Sequence, residues 1–126
     1  MKKILILLGL IVCLSFTGCG SKCKGNLEKD LTFMGMEMQI ANYLLREAKS
    51  AVSDEKRDKQ GKEAEYHYKE EIRLIEHILK KHPNELKLES VYLEENLKNF
   101  RDIAKKNIDL INKKQIENVK DEDIVF

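Results

Sequence analysis

The chain has 126 residues, with 23 basic and 22 acidic side chains and a formal charge of +1. That length supports one modest domain, and a balance so near neutral leaves no basic excess to grip nucleic acid. With six glycines, one proline and no alternating apolar pattern, the composition points away from strands and toward helices.

Met1-Lys2-Lys3 opens the chain on positive charge, and Ile4 to Phe16 is apolar apart from Gly9, Cys13 and Ser15. Small Thr17 and Gly18 then lead into Cys19. A basic start, a short apolar run and a small-residue cleavage zone read as a secretory signal over residues 1–18. An apolar run of about 13 residues is too short to cross ~30 Å of hydrocarbon as a helix, and no second such run follows. Ser15-Phe16-Thr17-Gly18-Cys19 resembles the lipobox of bacterial lipoproteins, with Phe16 standing where Leu or Val is usual. That resemblance implies a diacylglycerol thioether on Cys19, cleavage just before it, and acylation of the new amine with a chain such as palmitate. Two or three chains hold firmly where one holds only reversibly. By the same resemblance, Gly20 after the lipidated cysteine implies the outer membrane in a bacterium with two membranes. Losing residues 1–18 would also remove Lys2 and Lys3, leaving 21 basic against 22 acidic groups and a charge of −1. Cys23 is then an odd thiol, expected to be idle, with a disulfide between chains as the alternative.

Residues 19–26, small, polar and glycine-containing, read as a flexible tether. From Leu27 the pattern changes. Leu27, Leu31, Met34, Met38, Ala41, Leu45, Ala48 and Val52 recur in steps of four and three, a seam with the 3.5-residue period of packed helices. Ile40 and Leu44 widen that stripe. The spacing predicts a first helix over about 28–57, with Asn26 as its cap, fading in the charged run 54–59 and stopped by Gly61. A second helix is expected over about 62–81 on a seam of Tyr68, Ile72, Ile75 and Leu79, with Leu74 and Ile78 beside it. Pro83 ends it, because proline restricts the residue before it and lacks a donor. The third helix is expected over about 85–114, with Leu93, Leu97, Phe100, Ala104, Ile108 and Ile111 on one face. Residues 115–126 read as an acidic tail with Asp121-Glu122-Asp123 solvated; Ile124-Val125-Phe126 are either loose or docked.

These elements predict an all-α fold, a three-helix antiparallel bundle or hairpin stack with a long first helix. A shorter second helix would leave part of the first helix's seam bare, and such a stripe calls for a cover. Glu65 to Ile72, continued through Lys81-His82-Pro83-Asn84, resembles the second helix of a tetratricopeptide repeat and its closing proline. Glu71 and Ile78 stand where that repeat has small residues, and a plain bundle is the preferred reading.

The chemistry-bearing residues are sparse. His67, His77 and His82 have no converging partners for zinc, so no metal or other cofactor is expected; exposed or end-capping roles are. Glu70-Glu71 and Glu94-Glu95 are expected on solvated faces among Lys and Arg. No nucleophile elbow or phosphate loop is present, so an enzyme is not expected, nor is a small-molecule substrate. Phe33 and Met36 lie off the seam of the first helix and, with Ile40 and Leu44, form the candidate partner-binding patch. The expectation is a non-enzymatic protein-binding or scaffolding lipoprotein of the bacterial cell envelope. A surface-displayed adhesin, antigen or exclusion factor is the first alternative, and a self-associating coiled coil the second.

Overall fold

The computed structural model describes residues 25–90 and 92–124. The expected signal at 1–18, Cys19 and its lipid, Cys23, and the last two residues lie outside them. Among the described residues there are four α-helices and no strand: α1 (Gly25–Ser50), α2 (Asp54–Lys81), α3 (Pro83–Glu89) and α4 (Leu93–Asn112). Two 3-10 turns follow, Ile116–Asn118 and Asp121–Asp123. The fold is the all-α helical bundle that the spacing predicts. Among the described residues, no helix is long and apolar enough to cross a membrane.

The long helices run up, down and up, and α2 is central, packed against both α1 and α4. Asp30 faces His77 and His82, Glu37 faces His67 and Asn42 faces Tyr68, which fixes α1 and α2 as antiparallel. Seven of the eight predicted seam residues of α1, Leu27 through Ala48, are buried. The eighth, Val52, is fully exposed, because the helix has already ended.

Several boundaries differ from the sequence reading, each for a local reason. Although Asn26 was the expected cap, it is already helical. α1 stops at Ser50 rather than in the charged run, because Ser53 caps α2: its side chain accepts from the Lys56 N–H at 3.2 Å. Asp54 and Glu55 then sit in the first turn of α2, where negative charge is favoured. Gly61 is interior to α2, not a stop. A Cβ there would lie 2.9 Å from Ile116 Cδ1, so the missing side chain lets the C-terminal segment close on the helix. With α2 at 28 residues against 26 for α1, the length mismatch disappears. The stripe expected to be bare is covered: Leu27, Leu31, Met34 and Met38 are all buried.

The expected third helix is two helices. Pro83 starts α3 at its first turn, as its fixed φ allows. Ser90 is extended, its hydroxyl accepts from the Tyr92 N–H, and α4 begins at Leu93. α4 closes in a Schellman arrangement, Gln115 N–H to Leu110 C=O at 2.8 Å and Lys114 N–H to Ile111 C=O at 3.1 Å. Lys114 holds the left-handed position, φ 56°, that glycine usually fills. Nor is the tail merely solvated. Ile116, Val119 and Ile124 are buried; Lys49 binds the Val119 carbonyl and Asp121, and Arg46 binds the Ile124 carbonyl. Asp121 and Glu122 are exposed as expected, while Asp123 meets Lys106.

The core divides into two clusters. One is bulky: Leu27, Leu31, Met34 and Met38 meet Ile75, Ile78, Leu86, Leu93, Leu97 and Phe100. In the other, Ala41, Ala48, Ala64 and Ala104 bring the helices close, and the tail residues fill the space beside them.

Two substitutions test the helix ends. Ser53→Ala is expected to lower stability by about 1 kcal/mol. Lys114→Gly is expected to raise it by about 1 kcal/mol, by relieving the left-handed backbone. Urea unfolding of both variants checks these signs.

Candidate functional site: the outer face of the first helix

Helix α1 carries apolar side chains on two opposite sides. Phe33, Met36, Ile40 and Tyr43 are exposed, at 47%, 52%, 39% and 59%. At 3.6 residues per turn they share one narrow stripe, about half a turn from the buried seam. Their spacing of three, four and three is itself that of a helix-pairing seam. Lys29 lies four residues before this stripe and Glu47 four residues after it. The Lys29 ammonium sits 5.9 Å from the centre of the Phe33 ring, a cation–π approach.

Of the four residues expected to bind a partner, Phe33, Met36 and Ile40 share this stripe. Leu44 does not: it is half-buried and packs against the alanine-rich core. Tyr43 takes its place. The signal for it was in the chain, since Tyr43 continues the three-four-three spacing that Leu44 breaks.

The flanks of the stripe are polar. Toward α2, Glu37 meets His67 Nδ1 at 2.5 Å. One turn and more toward the N-terminus, Asp30 meets His82 Nε2 at 3.0 Å and His77 at 3.6 Å. His82 is buried and its Nδ1 faces Glu85 at 3.2 Å. His77 is exposed and His82 sits at the cap position between α2 and α3, as expected, and all three histidines also face a carboxylate of α1. No group of three or more metal-ligating side chains could hold an ion among the described residues.

A second polar group is buried between α1, α2 and α4. The Tyr68 hydroxyl donates to Asn42 Oδ1 at 2.5 Å and accepts from Asn107 Nδ2 at 3.2 Å. Burial pushes the Tyr68 phenol far up, so it stays a donor. Glu71, expected on a solvated face, is buried on α2, and its Oε1 has no hydrogen-bond partner. Glu71 and Ile78, which stand where the tetratricopeptide pattern has small residues, are both inside the core. Burial drives the Glu71 carboxyl well above the usual carboxylate range. These groups lie inside a packed core, and the shallow surface cavities near Arg46 and near Asp58 lie elsewhere.

Compared with protein families, with curated proteins and with solved structures, the chain finds no match.

The raised Glu71 has a pH consequence. The folded chain keeps this proton at pH values where the unfolded chain has lost it. Its contribution is therefore complete below the unfolded value, near 4.5, and declines as pH rises toward the folded one. Glu71→Met, apolar and similar in length, is expected to be more stable at pH 8 by about 1–3 kcal/mol, the usual cost of an unpartnered buried polar group. Its loss of stability between pH 5 and pH 8 should be smaller than that of the parent chain. Urea unfolding at both pH values checks this.

Proposed function

We propose that this chain is a lipid-anchored, non-enzymatic binding or scaffolding protein of the bacterial cell envelope, docking through the outer face of α1. The observation that carries the reading is the exposed stripe of Phe33, Met36, Ile40 and Tyr43 on the first helix, close in sequence to Thr17-Gly18-Cys19. The lipobox resemblance supplies the anchor. With two or three acyl chains on Cys19 the chain would be held at a bilayer without a membrane-spanning helix. A short tether extends at most about 3.3–3.6 Å per residue, so the α1 face would be presented close to the lipid surface. Four large apolar residues on one exposed helical stripe cost free energy in water at about 25 cal/mol per Å². A protein surface that buries them recovers that cost, and the polar flanks would orient it.

Two experiments separate the parts of this reading. Cys19→Ala is expected to abolish incorporation of labelled palmitate and to leave an uncut precursor; a labelled, processed Cys19→Ala chain would refute the anchor. Phe33→Ser with Met36→Ser is expected to lose at least about tenfold in partner capture from detergent-solubilised membranes, with helicity by circular dichroism unchanged. Full capture by that double variant would remove the docking face.

A further inference from the structure

We infer that the occupant of the outer α1 face is a second copy of this chain, bound antiparallel about a two-fold axis. The pairing deepens the docking function proposed above and rests on it. Six residues carry the argument: Lys29, Phe33, Met36, Ile40, Tyr43 and Glu47.

They are ordered so that the stripe complements itself when reversed. Set two copies of α1 antiparallel with the axis midway between Met36 and Ile40. Met36 of one copy then faces Ile40 of the other, and Phe33 faces Tyr43. In that same register Lys29 of one copy faces Glu47 of the other, at both ends of the contact. No shift is needed between the apolar layers and the charged ends. A two-fold interface requires one surface patch to be complementary to itself, and this order supplies it. The parallel alternative places Lys29 beside Lys29 and Glu47 beside Glu47, and like charges set against each other are unfavourable.

The other apolar occupant, a lipid surface, fits less well. Helices that lie in the membrane interface carry a polar side rich in lysine and arginine, whereas this stripe ends in one cation and one anion. The neighbouring side chains also favour a helix over lipid. Glu37 beside the stripe is engaged by His67, and Arg46 on its other flank binds the Ile124 carbonyl. The apolar strip is thus narrow, the width of one helix. From Lys29 to Glu47 it spans 18 residue steps, about 27 Å at 1.5 Å each. That is less surface than a standard stable interface buries. The pair would be weak in dilute solution and favoured where anchors hold copies at high local concentration.

The test uses the full chain in membranes of expressing cells, in a Cys23→Ser background. Two differently tagged versions are co-expressed, one with Phe33→Cys and one with Tyr43→Cys, and oxidised gently. The register brings positions 33 and 43 of opposite copies together. It keeps each about 15 Å along the axis from its own equivalent, beyond the Cα separation of about 7 Å that a disulfide tolerates. The mixed 33–43 link is therefore expected in large excess over either like-with-like link. Lys29→Glu alone or Glu47→Lys alone should each cut the mixed link about tenfold, and the two together should restore it. Links of equal yield, no mixed link in chains that are folded by circular dichroism, or a double reversal that fails to restore it would overturn the pairing. If the mixed link is absent while Phe33→Ser with Met36→Ser still abolishes capture of another protein, the pairing is overturned and the docking function stands with a different occupant. Loss of palmitate labelling with the mixed link intact would instead remove the anchor alone.

Discussion

Without α2 between them, α1 would present a row of Leu, Met and Ala to water, and α4 a row of Leu, Phe, Ala and Ile. The inner face of α2, Ala64, Tyr68, Ile75 and Ile78, is buried against both neighbours at once. At about 25 cal/mol per Å², the area removed along 28 residues is the main source of cohesion available to a chain this short. The rest follows from that central position. α2 has a capped start at Ser53 and a proline-marked end, so it spans the full length of α1. Its one glycine admits the C-terminal segment, and His67 and His77, with His82 just past its end, reach across to the carboxylates of α1.

The two halves of the core use different solutions. Toward the α3 end, large Leu, Met and Phe side chains hold the helices apart and fill the space themselves. At the other end, alanines let the helices approach, and the tail contributes Ile116, Val119 and Ile124 to complete the core. Tyr68, Asn42, Asn107 and Glu71 are buried polar groups in this otherwise apolar interior. Tyr68, Asn42 and Asn107 bond to one another, while Glu71 keeps an unpartnered oxygen and, with it, a raised proton affinity.

Much of the architecture was legible because burial at helical spacing leaves a periodic trace. Seven seam positions on α1 and five of six on α4 are buried as their spacing required. Boundaries were harder. Ser53 is one serine among several, and its capping role shows only once its hydroxyl meets the Lys56 N–H. Gly61 resembles a stop until Ile116 is seen against it, and that contact crosses more than 50 residues of chain. The end of α4 fell within two residues of the expected one, although a lysine fills the position glycine usually takes. The exposure of His77 and the cap position of His82 were legible, but the carboxylate partners of the histidines were not, since Asp30 and Glu37 are distant in sequence and adjacent only in the folded hairpin. On the candidate face, Phe33 and Met36 were readable from their place off the seam, whereas Ile40, expected to widen the seam, is exposed. Leu44 was not readable, because a position at the edge of a stripe turns inward or outward according to a neighbour that sequence does not reveal.

A helix with apolar rows front and back has an ambiguity that hydrophobic burial only partly resolves, since the inner row is longer than the outer one. Rolled by half a turn, α1 would still present large apolar side chains to α2. Polar pairs add to the distinction: Asp30 with His82, Glu37 with His67, and Asn42 with Tyr68, three bonds spread along the helix. Such pairs often contribute little net cohesion and instead select one arrangement among several. Here they act as detents on the rotation of a single cylinder, and the side turned to the outside world is the one they leave over.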